Sequence, residues 1–217
     1  MKPLGPIPSG YALIDGELAV AGRKASALVA EAGSTPLFVY SAQHIRRRVA
    51  ELREALPARV ALHYAVKANP FAPVLALMDG LVDGFDIASG GELALLAQAG
   101  VAAERISFAG PGKREAELTA AISAGATLNL ESEGEADRAL AIAARLGLTP
   151  RLAIRVNPDF DLKGSGMKMG GGAKPFGVDA DRVGAMARAI ITSGAEWRGL
   201  HIFAGSQALS ADAIIEA

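Results

Sequence analysis

Four residues able to do chemistry sit at or just beyond the ends of short apolar runs. Lys67 lies in His63-Tyr-Ala-Val-Lys67-Ala-Asn-Pro70, Asp86 in Gly84-Phe-Asp-Ile-Ala88 and Arg155 in Leu152-Ala-Ile-Arg-Val156. Ser206 follows Gly205 shortly after Gly199-Leu-His-Ile-Phe203. A lysine forms a Schiff base with a carbonyl as the neutral amine, and burial lowers its pKa toward that state. Lys67 at the end of an apolar strand would be in such a place; the bland alternative is a surface lysine. Arg155, a charge closing an apolar strand, needs a partner, either a carboxylate or an anionic ligand. Asp86 could tune charge beside an amine, or cap a helix beginning near Ser89. Glu92 fits equally well as a first-turn acid favoured by the helix dipole. The Ser206 hydroxyl could donate to an anion or merely serve a turn.

The rest of the composition narrows the chemistry. The 217 residues are 51% hydrophobic and 21% charged, with a net charge of −1, which is globular and neither disordered nor a basic nucleic-acid binder. Arg46-Arg47-Arg48 lies within an amphipathic helical pattern and reads as a solvated face. There is no cysteine, so disulfides and thiolate metal sites are excluded. His44, His63 and His201 are scattered without metal-ligand spacing. No apolar stretch is long enough to span a membrane, and the Pro-rich start lacks a signal pattern. A cytoplasmic protein that binds no nucleic acid and no membrane is expected.

These residues must be positioned by alternating strands and helices. Strand-like runs are expected at 37–40, 61–65, 84–88, 106–109, 127–130, 152–156 and 199–203. Helical periodicity marks 42–56, 91–99, 114–124, 133–146 and 180–193, with Gly100, Gly125 and Gly147 at three ends. The markers Lys67, Asp86, Ala109, Glu131 and Arg155 follow one another at 19, 23, 22 and 24 residues, one βα unit per step. Continuous apolar strands imply a parallel sheet covered on both faces. Polar residues at six successive strand ends favour a (β/α)8 barrel, whose site lies at that rim, over a doubly wound sheet. The count reaches about six of eight strands, and the chain ends within an apparent helix, so an incomplete barrel is expected. Asp159 to Lys174 is Gly-rich, fitting a lid rather than a phosphate loop.

His63-Tyr-Ala-Val-Lys-Ala-Asn-Pro70 followed by Gly84-Phe-Asp-Ile-Ala-Ser-Gly-Gly-Glu92 resembles the fold-type III decarboxylases dependent on pyridoxal 5'-phosphate (PLP), such as diaminopimelate, ornithine and arginine decarboxylases. Phe108-Ala-Gly-Pro-Gly-Lys113, Arg155-Val-Asn-Pro-Asp159, Pro175-Phe-Gly177 and Gly199-Leu-His-Ile-Phe-Ala-Gly-Ser-Gln207 extend the match in the family's order. The 163–172 loop and the Phe-Ala-Gly-Ser-Gln run look closest to the exosortase-associated, exopolysaccharide-linked branch. The resemblance implies a PLP-binding barrel in which Lys67 is the Schiff-base lysine and the catalytic residue. Asp86, Arg155, Phe203 and Ser206 would join Lys67 in binding the cofactor. It further implies decarboxylation of an amino acid akin to diaminopimelate, ornithine or lysine, by a homodimer. Residues 1–40, through the strand at 37–40, would belong to a mostly missing β-domain, and 41–217 to a partial barrel.

One position departs from the family. Relatives usually read His-x-His-x-Gly-Ser, the second histidine stacking on the cofactor ring; here Phe203 stands in its place. Phenylalanine keeps a flat apolar face but brings no ring proton. His201, two residues earlier, shares its strand face and is expected to be a satisfied core histidine. The family's phosphate loop, pyridine-nitrogen partner and proton donor would lie beyond residue 217, so the isolated chain is expected to be inactive. A PLP-dependent racemase and a non-catalytic barrel that binds without turnover remain as alternatives.

Overall fold

The computed structural model describes residues 11–158, 167–168, 175–203, 205–206 and 215. They fall into two compact units, one up to Ala61 and one from Leu62. Compactness thus divides the chain at Ala61, whereas the expected division after Tyr40 followed the resemblance.

The first unit opens with a meander of β1 (Tyr11–Ile14), β2 (Glu17–Val20) and β3 (Arg23–Lys24). Both connections are two-residue turns, Asp15-Gly16 and Ala21-Gly22, with positive φ at each residue. That conformation matches the right-handed twist of paired strands. Two helices follow, α1 (Ala25–Ala32) and α2 (Ala42–Ala55). Ser41 caps α2 by accepting from His44 N at 3.2 Å. Arg47 and Arg48 both pair with Glu51, at 3.5 and 3.1 Å, so this part of the arginine run is a solvated helix face.

One expected strand is absent. Leu37-Phe-Val-Tyr40 forms no strand, and Phe38 is 83% exposed. Its β-branched and aromatic composition suits a pleated surface, but it has no strand partner among the described residues.

The second unit runs β4 (His63–Ala65), α3 (Ala72–Asp79), β5 (Gly84–Ile87), α4 (Gly90–Gln98), β6 (Ile106–Phe108), α5 (Glu115–Ala124), β7 (Thr127–Leu130), α6 (Glu133–Leu146) and β8 (Arg151–Asn157). After these come β9 (Met167–Lys168), β10 (Val178–Asp179), α7 (Ala180–Thr192), β11 (Glu196–Ile202) and β12 (Gly205–Ser206). Strands β4 to β8 pair in order and in parallel, and β11 adds in parallel to the far edge of β8. This is the expected α/β architecture, a partial (β/α) barrel of six main strands. Val156 pairs with both Val178 and Ile202, so β10 lies on the edge β7 has vacated. The remaining two-residue strands, β9 and β12, pair with each other.

The core lies between sheet and helices. Phe85, Phe108, Leu128, Leu130, Leu152 and Ile154 from the strands are fully buried, with Leu75, Leu96, Leu118 and Ile190 from the helices. Each such side chain contributes about 1.5–3 kcal/mol by leaving water. β11 is different: its residues alternate, and Leu200 and Ile202 are 58% and 46% exposed. Gly125 and Gly147 end α5 and α6 in the left-handed conformation. Among the described residues no helix is long and apolar enough to cross a membrane. The 159–174 loop, apart from β9, and most of 207–217 lie outside the described residues.

Candidate active site

Parallel strands all point their C-terminal ends one way, and chemistry-bearing side chains gather there. Lys67 lies on a single 3-10 turn, Val66–Ala68, immediately after β4. Asp86 is in β5, Arg155 in β8, and Phe203 follows β11 directly. All four line one cavity of about 320 Å3, together with Gly110–Gly112 after β6, Phe176 and His201. That is the low end of the ~300–1,000 Å3 range for small-molecule sites. Of the five expected site residues, four are therefore brought together. Ser206 pairs through its backbone with Met167; its side chain is outside the described residues.

Two expectations need correction. Lys67 is exposed, not buried, because the turn carries it past the end of the apolar strand. His201 is no satisfied core histidine. It faces the cavity, and its buried Nδ1 has no hydrogen-bond partner among the described residues. Burial first, then the Arg155 charge, pushes its pKa below the ordinary imidazole value.

Asp86 does not cap the next helix. Ser89 does, accepting from Glu92 N at 3.3 Å. Glu92 reaches back to Ala88 N at 2.6 Å, the behaviour of a first-turn acid. Asp86 instead faces the cavity, its Oδ1 3.9 Å from Nδ1 of His63 on the neighbouring strand.

Arg155 and Glu131 are buried at 5% and 6% exposure, and Arg155 Nη1 donates to Glu131 Oε1 at 2.9 Å. The guanidinium also lies 4.9 Å from the Phe176 ring and 5.8 Å from the Phe203 ring. Lys67 Nζ is 5.0 Å from the same Phe203 ring. Phe203 is thus a shared apolar wall for two basic groups. Gly177, next to Phe176, has φ +76°, and a Cβ there would meet Asn157 N at 2.8 Å. Only glycine lets this loop lie so close to β8.

A second buried pair lies nearby. Lys113 Nζ meets Glu135 Oε1 at 2.6 Å and donates to the Gly110 and Asn129 carbonyls at 2.6 and 2.9 Å. Burial lowers the Lys113 pKa, and the Glu135 carboxylate opposes that shift. Glu131 was visible in sequence only as a strand-end marker, and Lys113 only within a motif. Glu131, like Arg155, is a buried charge at the end of an apolar strand and needs a partner for the same reason.

Comparison with known proteins agrees with this geometry. The chain is 41% identical over 202 residues to the diaminopimelate decarboxylase of Aquifex aeolicus, covering 90% of this chain and 47% of that one. It is 34% identical over 184 residues to the L-glutamyl-[BtrI acyl-carrier protein] decarboxylase of Niallia circulans, covering 84% and 43%. The crystal structure of Helicobacter pylori diaminopimelate decarboxylase complexed with L-lysine superposes with a TM-score of 0.80 at 32% identity, covering 88% of this chain and 50% of that one. The chain therefore spans about half the length of the relatives it matches. The family model described as pyridoxal-dependent decarboxylase, pyridoxal binding domain, matches residues 42–217. With its amine, carboxylate and guanidinium gathered at the C-terminal ends of parallel strands, the chain belongs to the pyridoxal-dependent decarboxylases, within their pyridoxal binding domain.

Proposed function

We propose that the protein of which this chain forms part decarboxylates an amino acid with PLP, using Lys67 to hold the cofactor. The observation that carries this is the convergence of Lys67, Asp86, Arg155 and Phe203 on one cavity. The donor set suits the group: an amine for its aldehyde, a flat ring face for its pyridine, and a carboxylate in the same cavity. Bound PLP supplies an electron sink for the pair left behind when carbon dioxide departs.

The chain's own residues do the rest. Lys67, exposed before loading, can reach an incoming aldehyde without unfolding its turn. Asp86 places negative charge in the same cavity as that amine. Arg155, already charge-compensated by Glu131, holds its planar guanidinium near the rings of Phe176 and Phe203. Ser206 would donate its hydroxyl to the phosphate. The substrate would be a diamino acid of the diaminopimelate, ornithine or lysine kind, in a cytoplasmic homodimer of the exopolysaccharide-associated branch. Residues 1–40 would serve the second, β-rich domain and 41–217 the barrel.

A barrel that binds PLP without turnover is the second reading, favoured by phenylalanine at position 203. Titration with PLP should raise a near-visible absorbance band that Lys67→Ala abolishes and that sodium borohydride bleaches, leaving the cofactor covalently attached as a secondary amine. A full-length wild-type protein with no band at saturating PLP defeats the cofactor assignment. A band with no carbon dioxide released from any diamino acid by the full-length protein favours the binding-only barrel.

A further inference from the structure

Glu131 sits where three pieces of the cavity rim meet. Its Oε1 accepts from Gly110 N at 2.5 Å and from Arg155 Nη1 at 2.9 Å; its Oε2 accepts from Gly177 N at 2.9 Å. Gly110 belongs to the turn after β6 that lines the cavity, Arg155 to β8, and Gly177 follows the cavity-lining Phe176. One carboxylate thus ties together cavity-forming segments that are remote in sequence. It directly follows β7, where a buried charge is costly unless fully bonded, and among the described residues its carboxylate's three hydrogen bonds all go to segments of the cavity rim. A carboxylate satisfied by two backbone amides and a guanidinium holds them in one geometry, because leaving any of them buried and unpaired is costly.

We propose that Glu131 is a positioning residue of the cofactor cavity. It acts through Arg155 and the Gly110 and Gly177 backbones, setting the guanidinium against Phe203 and fixing the rim. The inference rests on the cavity being the PLP site. Arg105 supplies the contrast. It also ties segments together, through Asp79 Oδ1 at 2.5 Å and the carbonyls of Asp79, Val82 and Asp83, but at the N-terminal ends of β5 and β6. Losing Arg105 should cost stability without disturbing the cavity.

The test compares wild type, Glu131→Gln, Glu131→Asp and Arg105→Gln in the full chain. Amide exchange at Gly110 and Gly177 is followed without cofactor, and PLP affinity by its absorbance. Glu131→Gln should lose at least tenfold in protection at both glycines and at least tenfold in PLP affinity, with a shifted band. Glu131→Asp, which keeps the charge, should recover part of both. Arg105→Gln should melt earlier yet keep its affinity within twofold. Equal losses in Glu131→Gln and Arg105→Gln would reduce Glu131 to general stability and overturn the inference. So would PLP affinity in Glu131→Gln within twofold of wild type. If Glu131→Gln does not fold, Glu131→Asp decides: unchanged protection and affinity despite its shortened reach would overturn the inference equally. No PLP uptake by folded wild type would instead defeat the cofactor assignment on which the inference rests.

Discussion

The Nζ of Lys67 lies 5.0 Å from the centroid of the Phe203 ring. The Arg155 guanidinium approaches the same ring at 5.8 Å, so Phe203 neighbours both basic side chains of the cavity. A cation held over an aromatic face at a partly exposed site gains about 0.5–1 kcal/mol, a two- to fivefold effect. Phe203→Leu removes the flat face offered to the cofactor ring, and losing a ring–ring contact of about 0.5–1.5 kcal/mol should weaken PLP binding about two- to tenfold. Phe203→His keeps a flat face and should bind much as wild type does at pH 8. The Lys67 and Arg155 charges beside it oppose protonation of the new imidazole, so PLP binding should stay close to wild type at pH 6 as well. A titration at the two pH values checks this. Leucine binding as tightly as phenylalanine would mean the ring contributes nothing.

His201 is the other ring in the cavity. Burial and the Arg155 charge lower its pKa, while Asp86 and Glu131 oppose them and Lys113 adds to them. The folded state therefore takes up a proton less readily than the unfolded chain, whose imidazole titrates near 6.5. Stability should be full above that value and fall as the pH drops through 6.5 toward the depressed folded pKa. His201→Gln removes this component, so its melting temperature should decline less steeply between pH 7 and pH 5. Parallel melting curves for the two proteins over that range would refute the linkage.

Most of the barrel could be read from sequence because its signals are local. Each helix of the 133–146 kind carries its own period, cap and C-terminal glycine, and the observed α6 has those bounds. Lys67, Asp86 and Arg155 stood out because charges at apolar strand ends are costly unless used, whereas Phe203 was assigned only through the family resemblance. What escaped was relational. The exposure of Lys67 depends on one 3-10 turn, and no periodicity reports a turn that short. The role of Glu131 depends on Gly177, 46 residues away. Leu37-Phe-Val-Tyr40 has strand composition, yet a strand is defined by its partner. The β1–β2 hairpin is the reverse case: Asp15-Gly16 between apolar runs was a legible signal that went unused.

Glu117 gives the last prediction, on acid stability. Its carboxylate accepts from Gly90 N at 2.8 Å, Arg114 N at 3.0 Å and Arg114 Nε at 3.1 Å, joining the first turns of α4 and α5. These donors, the Arg114 backbone first, hold its pKa at about 2. In the unfolded chain the carboxyl titrates near 4.5, so folding favours the charged form. That contribution is present above 4.5 and disappears as the pH falls from 4.5 toward 2. Glu117→Gln, which keeps the shape but not the charge, should cost about 1 kcal/mol at pH 7, the worth of a helix cap. Urea unfolding at stepped pH should then find wild type and variant converging between pH 4.5 and pH 2. A gap as wide at pH 2 as at pH 7 would mean that the carboxylate charge has no part in joining the two helices.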